Sequence, residues 1–170
     1  EFSASASEIL AAAIQDYKRG VVIGSKHTYG KGTVQNVIDL NDMVRGNSLG
    51  DLGSLKTTIQ KFYRINGGST QLEGVSSDVV MPDRYAYLKM GERDMENAMP
   101  WDKIDAAPYN VWNKQSNFDA AIENSKKRIA AKEELKLIEE NAKWIDQRNN
   151  ENIYSLNIDK FKAEQKSLEE

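Results

Sequence analysis

Cysteine is absent from this sequence, which excludes disulfides, thiolate metal sites and a cysteine nucleophile. Histidine occurs once, at His27, so a multi-histidine metal centre is excluded and a Ser-His-Asp triad has one candidate base. A basic excess is lacking too. The net charge is -3, and no nucleic-acid partner is expected of such a chain. No stretch approaches the roughly 18 to 20 continuous apolar residues of a membrane span. No signal peptide is visible. The chain opens with Glu1-Phe2 rather than Met and carries a motif in its first residues. It therefore reads as a fragment of a longer chain whose targeting signals lie elsewhere.

The 170 residues that are present suffice for one domain, or for half of one with an appendage. Apolar residues make up 39% and charged residues 29%, the balance of a globular protein with a modest core and long polar helices. Composition changes along the chain. Residues 1–85 are rich in Gly, Val, Ile and Thr and read as α/β. Residues from about 115 onward are rich in Lys, Glu, Asn and Ala and read as helical, joined to the first part by a connecting stretch that begins near residue 86. No internal repeat is found.

Ser5-Ala6-Ser7-Glu8 has the form of a capping box, and Ile9, Leu10, Ala13, Ile14 and Tyr17 recur at helical spacing behind it. Gly20 is the expected stop. Val21-Val22-Ile23 reads as a short buried strand, Gly24 to Gly32 as a loop, and Thr33 to Leu40 as a second strand. Leu55 to Ile65 has strand character. Asn66-Gly67-Gly68 signals a hairpin turn with a return strand from Ser69 to Leu72. Val79-Val80-Met81 is the last short strand expected. Pro100, Trp101 and Pro108 anchor irregular backbone. Beyond them Phe118, Ile122 and Ile129 line one helix face. Leu135, Ile138, Ala142 and Ile145 form a narrow apolar seam on another, and a last helix is expected within Ile153 to Glu170.

Chemistry concentrates in the first forty residues. A serine three residues before a glutamate at a helix start is in most proteins only a cap. The same place suits a nucleophile, because a helix N-terminus presents unpaired N–H groups and the positive end of the dipole to a developing oxyanion. Ala4 and Ala6 leave room for a substrate carbonyl. Lys31 sits in Gly30-Lys31-Gly32. A phosphate-binding loop fails on two counts: five residues rather than four separate Gly24 from Gly30, and Gly32 stands where Ser or Thr is required. No cofactor or metal is therefore expected. A lysine in a loop is ordinarily a solvated cation, with a pKa of about 10.4. Apolar surroundings disfavour the charge and turn a lysine into a general base. Gln35, on the following strand, is placed to orient that amine or is simply an exposed strand residue. His27 is the competing base, in a loop where exposure is the commoner state. Asp16 lies on the far turns of the first helix and reads as a salt-bridge residue.

Ser3-Ala4-Ser5-Ala6-Ser7-Glu8-Ile9, then Gln15-Asp16-Tyr17 with Arg19, then Thr28-Tyr29-Gly30-Lys31-Gly32-Thr33-Val34-Gln35 resembles the signature of carboxy-terminal processing proteases. Thr58 to Arg64, Gly67 to Gln71, Gly74-Val75, Asp78 to Pro82 and Glu96 to Asp102 resemble the tail-specific branch of that family. Arg148-Asn149-Asn150 and Tyr154 to Asn157 are similar to its C-terminal extension. The resemblance implies that Ser5 is the nucleophile of an acyl-enzyme, Lys31 the general base and Gln35 the orienting third member. It implies that the Ala6 N–H is one oxyanion donor, and it aligns Asp16 with an Asp of the first-helix pattern. It implies the C-terminal half of a crotonase-like ββα core in residues 1–85, then a helical extension in 86–170. Implied partners are protein substrates with apolar C-terminal tails, the PDZ and N-terminal domains of the full-length chain, and an adaptor protein, in the bacterial periplasm or cell envelope. The loop before Lys31 is one residue longer than the family's usual Gly-Glu-Pro-Thr form and lacks its Pro. An isolated piece without the upstream oxyanion donor is expected to be inactive or nearly so, since one such donor is worth ~10²- to 10³-fold in rate.

A non-enzymatic reading competes with this one. The seam of Leu135, Ile138, Ala142 and Ile145 would then make the helical half a docking module, unless it simply packs on the α/β part.

Overall fold

A computed structural model describes residues 2–48, 50–112 and 118–169. Its elements are α1 (Ala6–Asp16), β1 (Ile23–Gly24), β2 (Thr33–Asp39), β3 (Ser54–Lys61), β4 (Val79–Val80), a 3-10 turn at Glu92–Asp94, α2 (Asp119–Ala130), α3 (Glu133–Asn150) and α4 (Ile158–Glu169). This is a mixed α/β arrangement followed by helices.

α1 starts where the capping box places it, but it buries another face than the apolar periodicity suggests. Glu8 and Ala12 are the buried residues, while Ile9 and Leu10 are 46% and 61% exposed. The helix also stops differently. Lys18, not Gly20, takes the left-handed conformation at φ 51°, and the Arg19 N–H closes back on the Ile14 carbonyl at 2.8 Å. Gly20 serves close packing instead, since a Cβ there would lie 3.2 Å from Ile14 Cγ2.

The strand expected at Val21–Ile23 is displaced and short. β1 pairs parallel with β4, Ile23 opposite Val79, and Ile23 is 60% exposed rather than buried. β2 and β3 form an antiparallel ribbon from Thr33↔Lys61 to Asp39↔Ser54, with a register slip between Val34 and Gln35. The ribbon has few buried positions on either face. The turn at Asn66–Gly67–Gly68 forms as expected, with the Gly67 N–H on the Arg64 carbonyl and the Arg64 N–H on the Gly68 carbonyl. The return strand does not. After a single bridge from Tyr63 to Ser69 the chain leaves the ribbon, and the Leu72 N–H binds the Gly30 carbonyl. The loop around Lys31 thus takes the hydrogen bonds that a return strand would have used.

Among the described residues the buried apolar side chains are few: Ala12, Val75, Val79 and Ala142. Around them Glu8, Thr33, Ser69, Thr70 and Gln71 are equally buried. Buried polar groups are as a rule paired, and Glu8, Ser69 and Gln71 hold backbone N–H groups in this way, whereas the buried Thr70 hydroxyl has no partner among the described residues. α2 turns Phe118, Ile122 and Ile129 partly inward. α3 sets Ile138 and Ile145 across an open cavity from Pro82, Asp83 and Arg84, and Tyr87 donates its hydroxyl to Glu139, so α3 is tied to the segment that follows β4 while Ile138 of the seam stays 38% exposed. The last expected helix forms as α4, and Glu170 lies outside the described residues.

Candidate active site

An ordinary N-cap serine has extended backbone angles and caps the helix with its hydroxyl. Ser5 does neither. Its φ is 58° and its ψ -115°, and its side chain makes no capping hydrogen bond. Such a conformation costs a non-glycine residue on the order of 1–3 kcal/mol and collects at functional sites. A similarly strained turn exposes the nucleophile of the G-x-S-x-G hydrolases. Neighbouring bonds hold the strain in place. The Ser3 carbonyl accepts the Tyr29 N–H at 2.9 Å, and the Ser5 carbonyl accepts the N–H groups of Glu8 and Ile9 at 2.9 and 3.1 Å. Ala6 follows as the first helical residue, where N–H groups have no partner within the helix.

Glu8 supplies the rest of the restraint. It is 0% exposed. One carboxylate oxygen, Oε2, accepts the backbone N–H of Ser5 at 2.8 Å and that of Lys31 at 2.9 Å. The other, Oε1, accepts the Gly30 N–H at 2.7 Å and the Thr28 hydroxyl. Ser5 and Lys31 therefore share an acceptor atom although a helix, a strand and a loop separate them in sequence. Sequence reading gives Glu8 half a capping box, and that half is formed. Nothing in the sequence signals its other three donors.

Gly30 and Gly32 are required by what lies behind them. Gly30 has φ 91°, and a Cβ on it would stand 2.7 Å from the Leu72 carbonyl oxygen. A Cβ on Gly32 would stand 2.4 Å from the Gln71 nitrogen. Gln71, also 0% exposed, accepts the Gly32 N–H through Oε1 at 2.9 Å. The Gly-Lys-Gly turn is thus pressed between two buried polar side chains, Glu8 and Gln71, with the half-buried Lys31 between them. Gly74, at φ 65°, leaves the space that Thr28 and Glu8 occupy.

Among the described residues no hydrogen bond joins the Ser5 hydroxyl to Lys31 Nζ; what is shared is the backbone anchor. Hydrogen bonds between catalytic groups are often long in free enzymes. Gln35 is exposed on β2 opposite Thr58, at the register slip. Asp16 is at the far end of α1, about 15 Å along the axis from Ser5. There it holds Arg64 with both oxygens, at 3.0 and 2.6 Å, while Gln15 accepts from the same guanidinium at 3.2 Å. It ties the helix to the chain after β3, as a salt-bridge residue does. His27 pairs through Nδ1 with the Ser76 hydroxyl at 3.2 Å. Partial burial, then the Arg93 and Lys26 charges, lower its pKa from the ordinary value.

The site joins a strained serine at a helix N-terminus to a tightly held lysine loop through one buried carboxylate. Comparison with known proteins gives the family. Residues 1–81 match Peptidase family S41, and residues 85–170 match the C-terminal domain of tail specific protease. The chain is 44% identical over 167 residues to the tail-specific protease of Haemophilus influenzae, covering 96% of this chain and 24% of that protein. It is 32% identical over its whole length to a probable CtpA-like serine protease of Staphylococcus haemolyticus, of which it spans 34%. A carboxy-terminal-processing protease of Bartonella bacilliformis is 39% identical across 49% of the chain, which spans 18% of that relative. The chain belongs to the tail-specific protease family. It spans about a third or less of the length of these curated relatives.

Proposed function

We propose that this chain is the C-terminal part of a serine endopeptidase that works through Ser5 and Lys31. The observation that carries the reading is the strained Ser5 whose backbone shares a carboxylate oxygen with Lys31. Ser5 Oγ attacks the scissile carbonyl carbon while its proton passes to the Lys31 amine, the general base. The oxyanion takes a hydrogen bond from the Ala6 N–H at the positive end of α1. Collapse of the tetrahedral intermediate expels the amine product, which receives the proton from Lys31, and leaves an acyl-enzyme on Ser5. Water then attacks the ester with Lys31 again as base, releasing the acid and restoring the serine. Gln35 orients the lysine amine in this scheme, and Asp16 contributes only structure.

The core is a crotonase-like ββα assembly completed by upstream chain, which also supplies a second oxyanion donor and a PDZ domain. The paired but sparsely covered β1–β4 strands support that completion, because parallel strands are stable only when buried on both faces. Substrates are proteins with apolar C-terminal tails in the bacterial periplasm, presented with or without an adaptor.

The test is cleavage of a protein ending in apolar residues by the full-length protein. Ser5→Ala and Lys31→Ala are each expected to lower kcat about 10⁴-fold. Retained activity in Lys31→Ala, with loss in His27→Ala, would transfer the role of base to His27.

A further inference from the structure

The loop that carries Lys31 is gripped from a second direction, by chain that belongs to the C-terminal half. Gln71 accepts the Gly32 N–H with its oxygen and donates its amide nitrogen to Glu92 Oε1 and to the Met99 carbonyl, both at 3.1 Å. Two hydrogen bonds thus run from the residue beside Lys31 to the 3-10 turn at Glu92–Asp94. The same turn reaches the loop on the other side of Lys31. The Glu92 N–H binds the Tyr29 carbonyl at 2.9 Å, and Arg93 Nη2 binds the Thr28 carbonyl at 3.2 Å. Contact there is close, since a Cβ on Gly91 would lie 3.1 Å from the Tyr29 oxygen.

This segment has its own footing on the hairpin after β3. Lys61 donates to the Pro100 carbonyl at 2.6 Å and pairs with Asp102 at 2.8 Å. Trp101 Nε1 donates to the Ser69 carbonyl at 2.9 Å, and the Ser69 N–H returns to the Asp102 carbonyl at 3.1 Å. The segment is therefore tied down at one end and holds Thr28, Tyr29 and, through Gln71, Gly32 at the other.

Burying an amide and setting a carboxylate against it is an expensive way to gain stability; apolar side chains of similar volume usually do as well. What a fully paired polar network supplies is a fixed geometry. We propose that the Gly91–Trp101 segment is a brace for the Lys31 loop, with Gln71 and Glu92 as positioning residues that hold the general base in register with Ser5. Cutting or displacing the C-terminal extension then acts on the chemical step and not only on substrate capture. The proposal rests on the reading of Ser5 and Lys31 as nucleophile and base.

The experiment uses full-length protein carrying Glu92→Ala or Glu92→Gln. Two quantities are read: kcat and KM on a fluorogenic peptide with an apolar C-terminus, and the rate at which a fluorophosphonate labels Ser5. Glutamine keeps an acceptor for the Gln71 amide, so Glu92→Gln is expected to behave as the parent. Glu92→Ala is expected to lower both kcat and labelling about 10- to 100-fold with KM unchanged, the penalty of a slightly misplaced catalytic group. Unchanged kcat in a folded Glu92→Ala protein overturns the brace and leaves the catalytic pair intact. Equal losses in both variants also overturn it, since the hydrogen bond would then not be the cause. If Glu92→Ala does not fold, the exposed Arg93→Ala decides in the same way: a kcat loss at constant KM supports the brace, and parental kinetics overturns it. Full activity in Lys31→Ala removes the catalytic reading, and the brace with it.

Discussion

Replacing Glu8 by glutamine removes one negative charge and almost no volume, and it isolates the contribution of the shared carboxylate. Four donors converge on the side chain: the N–H groups of Ser5, Gly30 and Lys31, and the Thr28 hydroxyl. Glutamine keeps one oxygen and presents an NH2 group where the other stood. The Thr28 hydroxyl can rotate and accept, whereas a backbone N–H cannot. The amide nitrogen therefore settles on the Oε1 side, and the Gly30 N–H is left buried without an acceptor. An orphaned buried donor costs about 1–3 kcal/mol, and hydrogen bonds to a charged acceptor are worth more than those to a neutral one. Together these give a loss of about 3 kcal/mol for Glu8→Gln. Glu8→Ala strands all the donors and falls among the largest single-site effects, about 5 kcal/mol. Urea unfolding read by tryptophan fluorescence measures both. The rate of fluorophosphonate labelling at Ser5 should fall most in Glu8→Ala, which removes the oxygen that holds the Ser5 backbone in its strained conformation, and less in Glu8→Gln, which keeps that oxygen. A Glu8→Gln protein within about 0.5 kcal/mol of the parent, together with a Glu8→Ala protein labelled at the parental rate, would refute the idea that this carboxylate fixes the site.

The glycines on either side of Lys31 make a sharper comparison. Gly32→Ala forces a Cβ to 2.4 Å from a backbone nitrogen and should cost at least about 3 kcal/mol in urea unfolding. Gly46→Ala, with φ 72° but nothing within 4 Å, should cost only about 1 kcal/mol. Arg64→Ala leaves the Asp16 carboxylate, with a side chain only 10% exposed, without its cation and should cost about 2–3 kcal/mol; kcat at a temperature where the variant is folded should not change. His27 is easier to deprotonate in the folded protein, so protonation favours the unfolded chain. Its contribution is full above the ordinary value of 6.5 and is lost as pH falls from there through the lowered folded pKa, so His27→Gln should flatten the acid side of a stability–pH curve measured by thermal unfolding.

Local signals in the sequence located much of the backbone. The box at Ser5–Glu8, the Asn66–Gly67–Gly68 turn and the helical periodicity after Phe118 each act within a few residues, and each element forms where those signals put it. Burial was less legible. Ile9, Leu10 and Ile23 look like core residues and are exposed, whereas Glu8 and Gln71 look like surface residues and are fully enclosed. The reason is physical. Most of the partners of both side chains are backbone groups far away along the chain, at Gly30 and Lys31 for Glu8 and at Gly32 and Met99 for Gln71, and backbone groups leave no residue-type signature. The turn signal at Asn66–Gly67–Gly68 predicts a return strand through Gln71, but the Gly30–Gly32 loop takes the hydrogen bonds that strand would have made. Lys31 stands out by its two glycines, whose need for space is explained by Gln71 and Leu72 packed behind them.

Glu8 recognises the lysine loop almost wholly by main chain. Of the groups that reach it from that loop, two are peptide N–H groups and one is the hydroxyl of Thr28. Nothing upstream of Thr28 is consulted. The stretch from Gly24 to His27 is fastened separately, by Ser25 to Asp83 and Ser77 and by His27 to Ser76. An insertion or a lost proline in that stretch changes the path by which the chain arrives and leaves the address at which it docks untouched. The length of the Gly24–His27 stretch is thereby uncoupled from the hydrogen bonds that seat Gly30 and Lys31 on Glu8.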